Sequence, residues 1–170
     1  MSELDIVMST GKKFGIDEAL VIYTSKVDIR DWVNIQCRFG CPHYNKNWSC
    51  PPQSVNVEQT RNLLREYTKA VLVIGDNGEM DLRKFRKGML EIEKALRLNN
   101  YHKALALTMG PCDLCAQCAL LNGANCVYPE DKRPTIEGTG IDIIGTVKKF
   151  KKNINLFHKR FFSIGLVLLE

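Results

Sequence analysis

AVLVIGDNGEMDLRKFRKGMLEIEKALRLNNYHKALALTM (70–109) contains two changes of hydrophobic period. AVLVI (70–74) is a short unbroken apolar run, read as a buried strand closed by GDNG. Leu82, Phe85, Met89, Ile92 and Leu96 then recur at intervals of three and four, with charges on the opposite face, which is an amphipathic helix. KALALTM (103–109) returns to strand composition. Strand, helix, strand at this spacing predicts a right-handed βαβ unit.

Working outward, EALVIY (18–23) reads as a buried strand and FFSIGLVLL (161–169) as a closing one. Between Val27 and Ile35 the apolar residues fall at 27, 29, 33 and 35, which predicts a half-exposed strand leading to Cys37. Helices are expected at 3–13 and at 141–151. Another follows Asn56, an N-cap with Gln59 three residues on, and shows an apolar face of Leu63, Leu64 and Tyr67. The expectation is a single α/β domain over 1–170, with a mixed sheet of four or five strands, a βαβ unit, and two cysteine-rich metal-binding loops that follow strands.

Seven cysteines in 170 residues is a high count, and an odd number fits a closed disulfide framework poorly. Reduced thiols used for metal or redox chemistry are the better reading. GPCDLCAQCALLNGANCVYP (110–129) spaces them Cys112-x2-Cys115-x2-Cys118-x7-Cys126. A run of three at this interval is shared with bacterial ferredoxins, where each thiolate reaches a different iron of a [4Fe–4S] core. Zinc is the competing reading, although its four thiolates usually come as two separated C-x2-C pairs.

CPHYNKNWSCPP (41–52) completes a second set, Cys37-x3-Cys41-x8-Cys50. Three thiolates can hold a [4Fe–4S] cluster while leaving one iron without a cysteine. That position is open to a ligand, or a side chain fills it; His43 is nearest in sequence, and imidazole suits iron. The eight-residue gap separates this set from the radical enzymes that begin with C-x3-C. Tyr44 and Trp48 read as packing that keeps water away. Ligand pairing stays open, because in two-cluster ferredoxins the cysteine before proline serves the other cluster; Cys50 and Cys126 could therefore exchange sites. Arg133 and Asp142 either act near the clusters or pair to pin the 129–142 loop.

Taken in order, CPHYNKNWSCPP, GPCDLCAQC and RPTIEGTGID (133–142) resemble a prokaryotic family of predicted metal-binding proteins, domain of unknown function 2284. The resemblance runs from about residue 16 to about 169 and includes all seven cysteines. It departs at TIEG (135–138), where family members more often carry Ser-Met-Glu-Ala. It implies metal binding and no particular reaction.

Hydrophobic content of 45% supports a packed core. The nine-residue run at 161–169 is too short for a membrane span, which takes about 20 residues. MSELDIVMST lacks the basic and apolar regions of a secretory signal, so a cytoplasmic location is expected. The charge of +5 gathers at 83–87, 148–152 and 158–160. Those stretches are solvated faces, compensation for anionic clusters, or a surface for an anionic partner, nucleic acid included. No P-loop, GxGxxG or Ser/His/Asp arrangement is present. Three functions follow: a two-cluster iron–sulfur protein serving a redox partner or activating a partner enzyme; an enzyme whose open iron takes a small anionic substrate, as in sulfur transfer or desulfuration; and a zinc-stabilised interaction or nucleic-acid-binding module.

Overall fold

The computed structural model describes residues 1–76, 81–151 and 162–170. In chain order its elements are α1 (Glu3–Gly11), β1 (Glu18–Tyr23), α2 (Asp31–Gly40), α3 (Val57–Arg65), β2 (Lys69–Asp76), α4 (Leu82–Leu98), β3 (Leu105–Thr108), α5 (Ile143–Phe150) and β4 (Phe162–Leu168). The basic stretch at 158–160, Lys152 and Phe161 lie outside the described residues.

The α/β class and the four strands are as the sequence predicts. The strand order is β1-β2-β4-β3, and every neighbouring pair is antiparallel. The mixed sheet is therefore corrected to an antiparallel one. The β2–α4–β3 crossover exists, but β4 is inserted between its two strands, with Val71 opposite Val167 and Leu107 opposite Leu166. The one parallel pairing among the described residues is an isolated bridge between Thr108 and Thr135.

Both faces of this sheet are covered. Leu72, Ile74, Ile164, Leu166 and Leu168 pack with Leu107, Ile136, Ile141 and Val147 on one face. Val71, Val73 and Val167 pack with Ile6 and Val7 of α1 and with Phe85, Met89, Ile92 and Leu96 of α4 on the other. Strands buried on both faces read as continuous apolar runs, a pattern usual for parallel sheets. Coverage rather than pairing direction produces it here. The register is fixed because a one-residue slip would exchange the two faces.

Residues 27–35 correct a second expectation. Ile29 makes only an isolated bridge, to Ile141, and the chain becomes helical from Asp31. Trp32, Ile35 and Phe39, at helical spacing, are all exposed. EALVIY is an edge strand in which only Ile22 is buried. Two helix starts carry the reciprocal side-chain caps of a capping box: Ser2 with Asp5 in α1, and, as expected, Asn56 with Gln59 in α3.

Gly75 of β2 lies beneath the Gly15 carbonyl, and a Cβ there would also stand 3.1 Å from Phe85. Neither neighbour is the free end of a flexible chain. Gly75→Ala is expected to cost about 1–3 kcal/mol by overpacking. The readout is a lower urea midpoint with an unchanged slope, and an unchanged midpoint would contradict the packing described.

Candidate metal centre

Cys37 stands in the last turn of α2, and Cys41 follows the helix directly. Both line the same cavity at this end of the helix. Pro42 disfavours helical backbone at the residue before it, and Cys41 is accordingly extended (φ −91°, ψ 125°). This set thus follows a helix, not the strand expected. The chain then folds back through turns: the Tyr44 amide donates to the Cys41 carbonyl (3.2 Å) and the Asn45 amide to the Pro51 carbonyl (2.8 Å). Asn45 takes a left-handed conformation (φ 55°). This closure brings Cys50 back to the end of α2.

Cys37, Cys41 and Cys50 all line one cavity of about 660 Å³. Apolar side chains, among them Val33, Phe39 and Pro111, make up much of the remaining wall, with His43, Thr135 and Glu137. Cys50 is buried. Desolvation, followed by the fields of Cys41, Glu137 and Cys50, pushes the Cys37 thiol up to about 11. Burial also raises Cys50, against hydrogen bonds with Asn47 and Thr135 that lower it. Both are thiols in the metal-free chain, so a metal bound to them would have to displace their protons.

Cys112, Cys115, Cys118 and Cys126 line a second, smaller cavity of about 20 Å³. Desolvation, then the fields of Cys112, Cys126 and Cys118, raises Cys115. Unlike the first set, this one does follow a strand, β3, through Gly110 in a left-handed conformation (φ 72°). Gly110 and Pro111 border the first cavity and Cys112 the second, so the two meet along one stretch of chain. Trp48 sits between motifs. It comes from the first but walls the second cavity, donates from Nε1 to the Ala124 carbonyl (3.2 Å), and lies under Lys132 Nζ, 5.2 Å from its ring centre.

The structure thus places Cys50 with Cys37 and Cys41, and Cys126 with the Cys112 run. His43 is exposed on the rim of the first cavity. Arg133 and Asp142 do not pair. Arg133 donates from Nε and Nη2 to Glu93 (2.8 and 2.6 Å), while Asp142 caps α5 by accepting from the Gly145 amide (2.8 Å). Among the described residues, no group of three or more His, Cys, Asp or Glu side chains is arranged to hold a metal ion as it stands.

Two side chains at the site carry no mark in the spacing of the sequence. Glu137 faces the first cavity from a 3-10 turn, and desolvation raises its carboxyl despite hydrogen bonds from its own backbone and from the Gly110 amide and despite the field of Arg86. Its one sequence signal is an acid placed between Ile136 and Gly138. Arg86, inside the basic RKFRK stretch, is buried, donates to the Met109 carbonyl (2.9 Å) and forms an ion pair with Asp113. Its Nη1 faces that carboxylate without hydrogen-bond alignment, and its Nε has no partner among the described residues. At Arg86, then, RKFRK is not a solvated face.

No helix among the described residues is long and apolar enough to cross a membrane. No curated protein and no solved structure matches the chain. Residues 20–169 match the family described as predicted metal-binding protein, domain of unknown function 2284, and the chain belongs to that family.

Proposed function

We propose that the chain binds two [4Fe–4S] clusters and presents one of them, through an iron without a cysteine ligand, to a small molecule in the larger cavity. The observation that carries this is that all three cysteines of the first set line one cavity of about 660 Å³ with a largely apolar wall. Small-molecule sites typically enclose about 300–1,000 Å³ of mostly apolar space with a few polar groups. Cys37, Cys41 and Cys50 would hold the first cluster, and Cys112, Cys115, Cys118 and Cys126 the second. Thiolates are the donors that iron–sulfur cores take, and each can meet a separate iron around a cavity. Such a core supplies electrons and a Lewis-acidic iron. The protein's own part is to line the cavity with apolar surface at Val33, Phe39 and Pro111 and so to favour a ligand with an apolar body and a thiol or anionic head. The cavity therefore favours ligand binding over service as an electron carrier alone.

Zinc at the four-cysteine set is a second reading with one observation in its favour. About 20 Å³ is room for a water-sized occupant, so the loop would have to open to admit a cubane. Four thiolates also complete a structural zinc site.

Anaerobic purification followed by iron, sulfide and zinc analysis separates these readings. About eight irons and eight sulfides per chain are expected, with visible absorption. Cyanide or a small thiol should change the spectrum of one cluster only. A colourless protein with one or two zincs and no sulfide sinks the two-cluster reading. Two clusters both blind to added ligands sink its ligand-binding half.

A further inference from the structure

We propose that the Glu137 carboxylate, and not His43, is the protein's own ligand to the iron that the first cysteine set leaves without a thiolate. This rests on the two-cluster reading and assigns a role that the cysteine pattern does not carry.

Position is the first argument. Glu137 shares the cavity wall with Cys37, Cys41 and Cys50, and its charge reaches both Cys37 and Cys50. Its turn is fastened to both elements that bring the cysteines. On the α2 side, Asn34 Nδ2 donates to the Gly138 carbonyl (3.0 Å). On the Cys50 side, the Thr135 amide donates to the Ser49 carbonyl (3.1 Å). Gly138 is pressed against Pro51, where a Cβ would come within 2.9 Å of the ring Cδ. Internally the turn is tied by Gly138 N to Thr135 Oγ1 (3.1 Å) and by Thr139 Oγ1 to the Ile136 carbonyl (2.6 Å). Such a carboxylate is held in a fixed relation to all three thiols.

The second argument is its unmet bonding capacity. Two backbone donors serve the carboxylate, its own amide and that of Gly110, and burial still outweighs them; the Gly110 amide reaches the two oxygens only at 3.4 and 3.3 Å, longer than an ordinary N–H···O bond. Arg86 acts on it through its field, while the guanidinium bonds the Met109 carbonyl and faces Asp113. A desolvated carboxylate served only by backbone amides, with no side-chain donor bonded to it, is costly, and a cation beside it removes the cost. His43, exposed on the rim, pays no such cost. Carboxylate oxygen is also a harder donor than thiolate, which suits a position that an incoming ligand must displace.

The test uses the anaerobically purified holoprotein. One iron is removed by mild oxidation, followed by electron paramagnetic resonance of the three-iron product and by iron counts. Glu137→Gln is expected to lose that iron about 10–100-fold faster than the native chain, the span that loss of supporting groups gives elsewhere, while His43→Ala keeps the native rate. In Glu137→Ala, added acetate should slow the loss again, a rescue that a purely structural role would not show. Equal rates for Glu137→Gln and the native chain, or the fast rate in His43→Ala instead, overturn the assignment and leave the two-cluster reading standing. A colourless zinc protein overturns both.

Discussion

Glu93→Ala lowers the stability of the protein by about 3–5 kcal/mol, the cost of stripping one partner from a buried ion pair. Glu93 is 1% exposed on α4 and serves several donors at once. Its Oε2 accepts from the Ala106 amide of β3 (2.7 Å) and from Arg133 Nε (2.8 Å). Its Oε1 accepts from Arg133 Nη2 (2.6 Å) and pairs with Arg97 (3.0 Å). The Arg133 contact is bidentate, the strong form of such a pair. Removing the carboxylate strands a guanidinium whose side chain is only 13% exposed, and an amide at the sheet edge. Arg133 also donates to the Glu130 and Lys132 carbonyls (2.8 Å each), so it fixes the chain that leaves Cys126. Urea unfolding under anaerobic conditions measures the effect. Arg133→Met combined with Glu93→Ala should cost clearly less than the sum of the single changes, because the stranded charge leaves with its partner. A loss below about 1 kcal/mol in Glu93→Ala would mean that the pair is no more than a surface salt bridge.

Local rules made much of this fold readable. The three-and-four spacing of Leu82, Phe85, Met89, Ile92 and Leu96 is met by five residues facing the sheet or its flank, four of them almost wholly buried in the core. The Asn56–Gln59 capping box is present as read. Where local signals were silent or ambiguous, long-range packing decided. Apolar runs at 70–74 and 162–168 say that both faces are covered; which strand lies beside which depends on the insertion of β4, which no local residue specifies. Val27, Ile29, Val33 and Ile35 alternate, yet Trp32, Ile35 and Phe39 fit a helix equally well, and short windows do not separate the two periods. The two cysteine sets were legible from spacing, but the places of Cys50 and Cys126 were left open by it; the fold puts Cys50 beside Cys37 and Cys41, and Cys126 beside the Cys112 run. Glu137, Arg86 and the Arg133–Glu93 pair were not legible, because their partners lie at least 23 residues away in sequence at Met109 and 40 away at Glu93.

Removing the metal anaerobically is expected to release residues 109–134 and to lower the melting temperature by about 8–16 °C, taking about 4 kcal/mol for a ligand at a thousand times its dissociation constant and about 2–4 °C per kcal/mol for a chain of this size. No residue from 109 to 134 is buried, so apolar packing contributes little to ordering that loop. Its ties to the rest are mainly polar, among them Arg133 to Glu93, Arg86 to Asp113 and to the Met109 carbonyl, Trp48 to Ala124, Lys94 to Asp131 (3.2 Å) and Arg83 to the Asp113 carbonyl (3.0 Å). Both hydrophobic clusters are built almost wholly outside it, with Met109 only at the margin of one. Amide exchange should therefore rise first in 109–134 while β2 and β4 stay protected. The release also frees Arg133 from Glu93, so metal loss and Glu93→Ala should be less than additive. The pH trends should oppose each other. Protein loaded through these cysteines should weaken as pH falls, because protons would compete for the thiolates. In the metal-free chain the Cys37 thiol ionises at about 11 rather than at its ordinary 9.0. Its neutral form thus contributes stability below pH 9, and that contribution is lost as pH rises from there through about 11, a small effect for a half-exposed group. A melting curve and an exchange pattern both unchanged after complete metal loss would show that the loop is ordered by its polar ties alone.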